Sequence, residues 1–201
     1  MFGIIFLPRR VFRRLMADGH PMKRGFQAVL LSGFLFILVT AVLAVTGAVP
    51  MAPVLLPIRP ENYHFWQMIF ILPLLILIWI FASALVHLLG KSTRKGGSLR
   101  RTLAAFGFSL AGPVILLWVP QMAIAISYAF GMDQQEMVDI LSRPGPAQIL
   151  FLAAHVLALL WIFNLCSVAA SVSLKVNRWK SLPLGILAGS IFVAAAIIFV
   201  R

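Results

Sequence analysis

Five long apolar stretches set the rhythm of the chain: Phe26–Val49, Trp66–Leu89, Leu103–Ser127, Ala147–Val172 and Leu182–Val200. None holds an Asp, Glu, Lys or Arg. A helix needs about 20 apolar residues to cross the roughly 30 Å hydrocarbon core of a bilayer. No two-residue alternation marks a β-barrel, and inside lipid the backbone must satisfy its own hydrogen bonds, which leaves helices. The pattern therefore predicts an all-α polytopic membrane protein, a five-transmembrane-helix bundle. The first run, about 24 residues, exceeds the apolar core of about 7–15 residues in a cleaved signal peptide, so it is expected to remain as a span.

The polar segments between the runs predict orientation. Residues 1–25, 90–102 and 173–181 fall on one side and hold fourteen of the 17 basic residues, among them Arg9, Arg10, Arg13, Arg14, Lys91, Arg94, Lys95, Arg100 and Arg101. The other side has Arg59, Arg143 and Arg201, with four of the five acids. Lys and Arg resist translocation, so the N-terminus is predicted to be cytoplasmic and the C-terminus outside. Tyr63, Phe65, Trp66, Tyr128 and Trp179 fall near span ends, where amphipathic rings prefer to sit.

Composition narrows the class. The chain is 62% hydrophobic and 11% charged, against about a quarter charged in soluble domains, which excludes a free soluble protein. The net charge of +12 would suggest nucleic acid in a soluble chain, but here the basic residues are short clusters between spans, so no nucleic-acid partner is expected. A single cysteine, Cys166, supports neither a disulfide framework nor a cysteine metal site.

Outside the spans, residues 8–18 read as an amphipathic helix: Val11, Phe12, Leu15 and Met16 on one face, arginines flanking it. Residues 1–25 are expected to form a cytoplasmic interfacial segment on anionic headgroups, an attraction of about 1 kcal/mol per basic residue. Residues 26–201 then form the five-span domain. Gly90-Lys91-Ser92 lacks the upstream glycine and strand of a phosphate-binding loop, so a flexible basic loop is the better account. Asp133, Glu136 and Asp139 could face one way on a helix. A cation site there is conceivable, but acids accumulating where nothing opposes them is the favoured account.

Polar groups inside spans are costly and therefore informative. They are Gln67, Ser83, His87, Ser109, Gln121, His155, Asn164, Ser167 and Ser171. Interhelical hydrogen bonding, worth about 0.6–2 kcal/mol each, is the favoured use. A second reading is a small permease or transport-complex subunit with a polar site between the third and fourth spans, near Pro113, His155 and Asn164. A third is an intramembrane hydrolase using Ser109, for which only His87 and His155 could serve as base, with no acid to orient either. No catalytic constellation, cofactor site or metal site emerges, and the protein is expected not to be an enzyme. Small residues at helical spacing, including Gly185 and Gly189, Ala104 and Gly107, predict close helix packing and possible self-association. Gly112-Pro113 predicts a kink or unwinding in the third span.

Several motifs together suggest a family. Pro8-Arg9-Arg10-Val11-Phe12-Arg13-Arg14-Leu15, His87-Leu88-Leu89-Gly90-Lys91, Gly97-Ser98-Leu99-Arg100-Arg101-Thr102-Leu103, Phe106 through Pro113, and Asn177-Arg178-Trp179-Lys180 follow in order along almost the whole chain. In these the chain resembles the Yip family of Ypt/Rab-interacting membrane proteins. It departs at Phe108, where the family has tyrosine, and in the missing hydrophilic "D-L-x-G-P" region of eukaryotic members, so their Rab-dependent trafficking role does not transfer. The resemblance implies a five-span Yip domain of the short prokaryotic type in a bacterial inner membrane. The expected function is non-catalytic: binding partners or organising membrane through a basic cytoplasmic face, with anionic headgroups and protein partners or self-association as its interactions.

Overall fold

A computed structural model describes residues 7–91 and 97–199. Among them run seven α-helices and no strand: α1 Pro8–Ala17, α2 Pro21–Val45, α3 Tyr63–Lys91, α4 Leu99–Ala129, α5 Gln134–Ser142, α6 Pro146–Leu174 and α7 Arg178–Phe199. A 3-10 turn, Pro60–Asn62, leads into α3. Five helices, α2, α3, α4, α6 and α7, are long and apolar enough to cross a membrane.

Capping chemistry moves the helix ends away from the ends of the apolar runs. Ser98 caps α4, its hydroxyl accepting from the Arg101 N–H at 3.3 Å, so the helix starts four residues before Leu103 and draws Arg100 and Arg101 into its first turn. The α2 helix stops at Val45, short of the predicted Val49. Gly47 there takes φ 69°, and the Ala48 N–H returns to the Leu43 carbonyl at 3.0 Å, a closure that favours glycine. Proline does not break the spans: α4 runs through Pro113 and Pro120, α3 through Pro73 and α7 through Pro183. Of the kink or unwinding expected at Gly112-Pro113, the unwinding is absent: the helix is continuous there, with Leu165 and Trp161 of α6 packed against Gly112.

The α4 helix is central, with 61% of its most apolar window buried against 22–39% in the other four spans. Its most extensive packing is with α2, then with α6. The α2–α4 crossing is backbone to backbone: a Cβ on Gly107 would stand 2.6 Å from the Gly25 carbonyl oxygen, and one on Gly25 at 2.6 Å from the Ala104 Cα. Trp79 of α3 closes this crossing, its indole N–H donating to the Leu103 carbonyl at 2.8 Å. The G-x-x-x-G of α7 is occupied within the chain. Gly185 sits against Ser167 and Gly189 against the Phe163 ring, so that pair serves packing on α6 and is not free for self-association.

Each end of the bundle is tied separately. At the acidic end the Gln134 amide makes two bonds with Val49, to its carbonyl at 2.7 Å and from its N–H at 3.0 Å. Tyr63 and Gln67 both donate to the Phe199 carbonyl, satisfying the last turn of α7. At the basic end Arg101 donates to the Met16 carbonyl at 3.3 Å, and the Thr102 hydroxyl meets His87 Nδ1 at 3.3 Å.

Candidate functional site

The α1 helix is the element that builds the site. Pro8 occupies its first turn, which suits a residue without an N–H. The apolar face does not lie on lipid as the sequence predicted. Phe12 is fully buried, Leu15 and Met16 nearly so, all within the main core, with Phe12 meeting the Phe108 ring edge-on at 6.1 Å. The apolar stripe finds a groove between spans before it finds the membrane, and burying it there still leaves the polar face outward. Arg9, Arg10, Arg13 and Arg14 are all exposed.

Those four arginines form one wall of a groove of about 1080 Å³. The other walls come from α6 and α7: Phe163, Asn164, Ser167 and Val168 on one, Arg178, Ser181, Leu182 and Ile186 on the other. A smaller cavity of about 440 Å³ adjoins it, sharing Arg9, Arg13 and Arg178 and adding Ser171 and Asn177. The site is thus an arginine rim over a partly apolar slot, with a polar annex. Among the described residues the ion pairs are Arg24–Asp18 at 2.6 Å and Arg143–Asp139 at 3.0 Å. None of the five groove arginines has a carboxylate partner there.

Short-range chemistry positions the α7 wall. Lys175 takes φ 54° at the end of α6, and the Asn177 side chain caps α7 by accepting from the Lys180 N–H at 3.0 Å. Ser171 donates to the Val176 carbonyl at 2.9 Å, fixing the turn between them. Arg178 therefore leaves the first position of α7 at a defined angle beside α1. Three of the polar residues of the fourth span come together here: Asn164 and Ser167 line the groove, and Ser171 its annex.

The remaining candidate residues are dispersed. Arg100 is exposed at the start of α4, while Arg101 is spent on the Met16 carbonyl. Arg94, Lys95 and the Lys91 side chain lie outside the described residues. His87 bonds Thr102. Ser109 is buried, donating to the Phe106 carbonyl at 2.8 Å and touching the Cys166 sulfur at 3.7 Å, so neither histidine attends it. His155 is held on its own helix by the Phe151 carbonyl at 2.8 Å and by the Phe151 ring. Pro113 is buried in a seam where Gly112 meets Leu165 and Trp161. Asn164 points away from that seam into the groove, so Pro113, His155 and Asn164 do not share a site. Packing decides this, because α4 sets Ser109 and Gly112 directly against Cys166, Leu165 and Trp161 of α6 and leaves no room between them.

Of the acids in the outer segment, Asp133 caps α5 through the Gln135 N–H at 2.8 Å and Asp139 pairs with Arg143. No group of three His, Cys, Asp or Glu side chains gathers as metal ligands among the described residues.

Ser181, Leu182 and Ile186 were not singled out from the sequence, and Arg178 entered only within the Asn177-Arg178-Trp179-Lys180 motif, not as a site residue. The signal was present in the short basic turn followed by small and apolar residues, but only the docking of α1 shows that this face is lined.

No curated protein and no solved structure matches the chain. The family model of the Yip1 domain matches residues 2–200, from α1 to the end of α7. With essentially the whole length covered, this multi-pass membrane protein belongs to the Yip1 domain family.

Proposed function

We propose that the chain is a non-catalytic scaffold of a bacterial inner membrane, its N-terminus cytoplasmic and its C-terminus outside, that organises anionic constituents around its basic face. The constituents are anionic lipids and acidic surfaces of partner proteins. The observation that carries this reading is the docked α1: burial of Phe12, Leu15 and Met16 fixes a helix whose four arginines remain exposed beside Arg178. Fixed cations at a membrane surface attract anionic lipid without paying to order a flexible tail. Fourteen of the 17 basic residues on the predicted cytoplasmic side support the same reading.

The test uses the full chain in proteoliposomes with spin-labelled lipids, comparing how much anionic and zwitterionic lipid is motionally restricted by the protein. The anionic label should be preferred at low salt. The combined Arg9→Gln, Arg10→Gln, Arg13→Gln and Arg14→Gln variant should lose most of that preference. Equal restriction of both labels by the unaltered protein would overturn the reading.

A further inference from the structure

Resting on that reading and sharpening it, we infer that the groove between α1, α6 and α7 is a binding site for one anionic phospholipid, its phosphate on the arginines and an acyl chain along Phe163, Leu182 and Ile186.

The shape of the site is that of an amphiphile. Arg9, Arg13 and Arg178 stand between the two cavities and line both. On one side of them the annex is polar, with Asn177 and Ser171. On the other the larger cavity descends past Leu182, 42% exposed, and Ile186, 47% exposed. A charged headgroup suits the first and a hydrocarbon chain the second. Guanidinium groups hold phosphate oxygens through paired N–H donors, more specifically than a point charge would.

Depth agrees with this placement. The 31 residues of α4 and 29 of α6 measure about 46 Å and 44 Å at the usual rise. Both exceed a hydrocarbon core of about 30 Å, so their ends project beyond it. The Phe12–Phe108 contact sets α1 about 13 Å in from the start of α4, so its arginines stand below the projecting helix ends and not on them.

Asn164 supplies the independent observation. It lies ten residues from Leu174, about 15 Å along α6, exposed and facing the groove. No hydrogen bond to it is formed by another described residue. An unpartnered amide at that depth is costly, and a glycerol-ester carbonyl just below a phosphate is the acceptor a bound phospholipid would place there. A soluble phosphate ion would leave both Asn164 and the apolar slot unused, and an acidic protein segment would leave the slot facing lipid.

The experiment reads lipid retention by native mass spectrometry on full-length protein released from bilayers of mixed phosphatidylglycerol and phosphatidylcholine with matched chains. One phosphatidylglycerol should be retained in excess of phosphatidylcholine by ten-fold or more. Ile186→Trp, which fills the slot at an exposed position without altering charge, should lower retention at least five-fold. Leu182→Trp serves as a second filler should the first misfold. Asn164→Leu should lower retention by about three-fold, and added glycerol phosphate should not displace the lipid. Displacement by glycerol phosphate, with both Trp variants retaining lipid normally, would mean a phosphate site only and overturn the inference. Loss of all stoichiometric retention while the spin-label preference persists would also overturn it, leaving the diffuse basic face intact. Loss of both removes the proposed function as well.

Discussion

Gly107 shows how much of this bundle rests on single side chains that are not there. Lipid offers no hydrophobic drive between helices, so close approach and packing must hold them. At Gly107 the approach is to backbone, which cannot rotate away as a side chain can. Gly107→Ala is therefore expected to cost about 1–3 kcal/mol, read as a lowered midpoint in a dodecylsulfate unfolding titration of detergent-solubilised protein. Gly19, with nothing within 4 Å of its would-be Cβ, is the matched control: Gly19→Ala should stay within about 0.5 kcal/mol of the unaltered chain. Equal effects would remove the α2–α4 crossing as a determinant. The stripe of Ala104 and Gly107 was legible as a packing face, but its partner was not. Gly25 lies just outside the apolar run of its helix, and only three-dimensional register reveals that the two meet. Asn164 posed the opposite problem: its polarity was legible, whereas its direction depends on helix azimuth, which α6 settles by turning Leu165 and Cys166 inward.

At the scale of elements, the spans followed from hydrocarbon length and the lack of charge, because those two constraints leave few alternatives. The amphipathic period of residues 8–18 was equally legible and Pro8–Ala17 is a helix. What periodicity does not encode is which apolar phase receives the stripe, lipid or protein. Docking on the bundle wins because Phe12 finds Phe108 and Arg101 caps the last turn at Met16, a combination of packing and hydrogen bonding that lipid does not offer. This makes α1 an element held by three buried side chains, Phe12, Leu15 and Met16, of which Phe12 is the largest and the most fully enclosed. Phe12→Ala should leave the five spans assembled while raising the open population of α1. A loss of about 1.4 kcal/mol is ten-fold in that population, and removing a buried Phe ring commonly costs more. Limited trypsin digestion of reconstituted protein should then cut within Arg9–Arg14 at least ten-fold faster than in the unaltered chain. An unchanged rate would mean that α1 is not docked in the bilayer.

For the whole molecule the decisive quantity is parity. Five spans put the N-terminal segment, the α3–α4 connection and the α6–α7 turn at one end, and the α2–α3 and α4–α6 connections at the other. The ties within each end follow that division, with Arg101 on Met16 at one and Gln134 on Val49 at the other. The groove requires the same division, since its arginines come from α1 and α7 and meet only if the N-terminus and the α6–α7 turn share a face. Cys166 is fully buried, so single cysteines can be read without removing it. In sealed inside-out vesicles, Gly19→Cys and Trp179→Cys should react with an impermeant maleimide, while Met51→Cys and Ser142→Cys should stay unlabelled until the membrane is dissolved. Right-side-out preparations should reverse the result. The charge distribution makes this the expected orientation, since fourteen basic residues would otherwise have to cross against the membrane potential. Labelling of Gly19→Cys and Met51→Cys from the same side would break the alternation of spans, and with it the geometry that brings Arg178 beside α1.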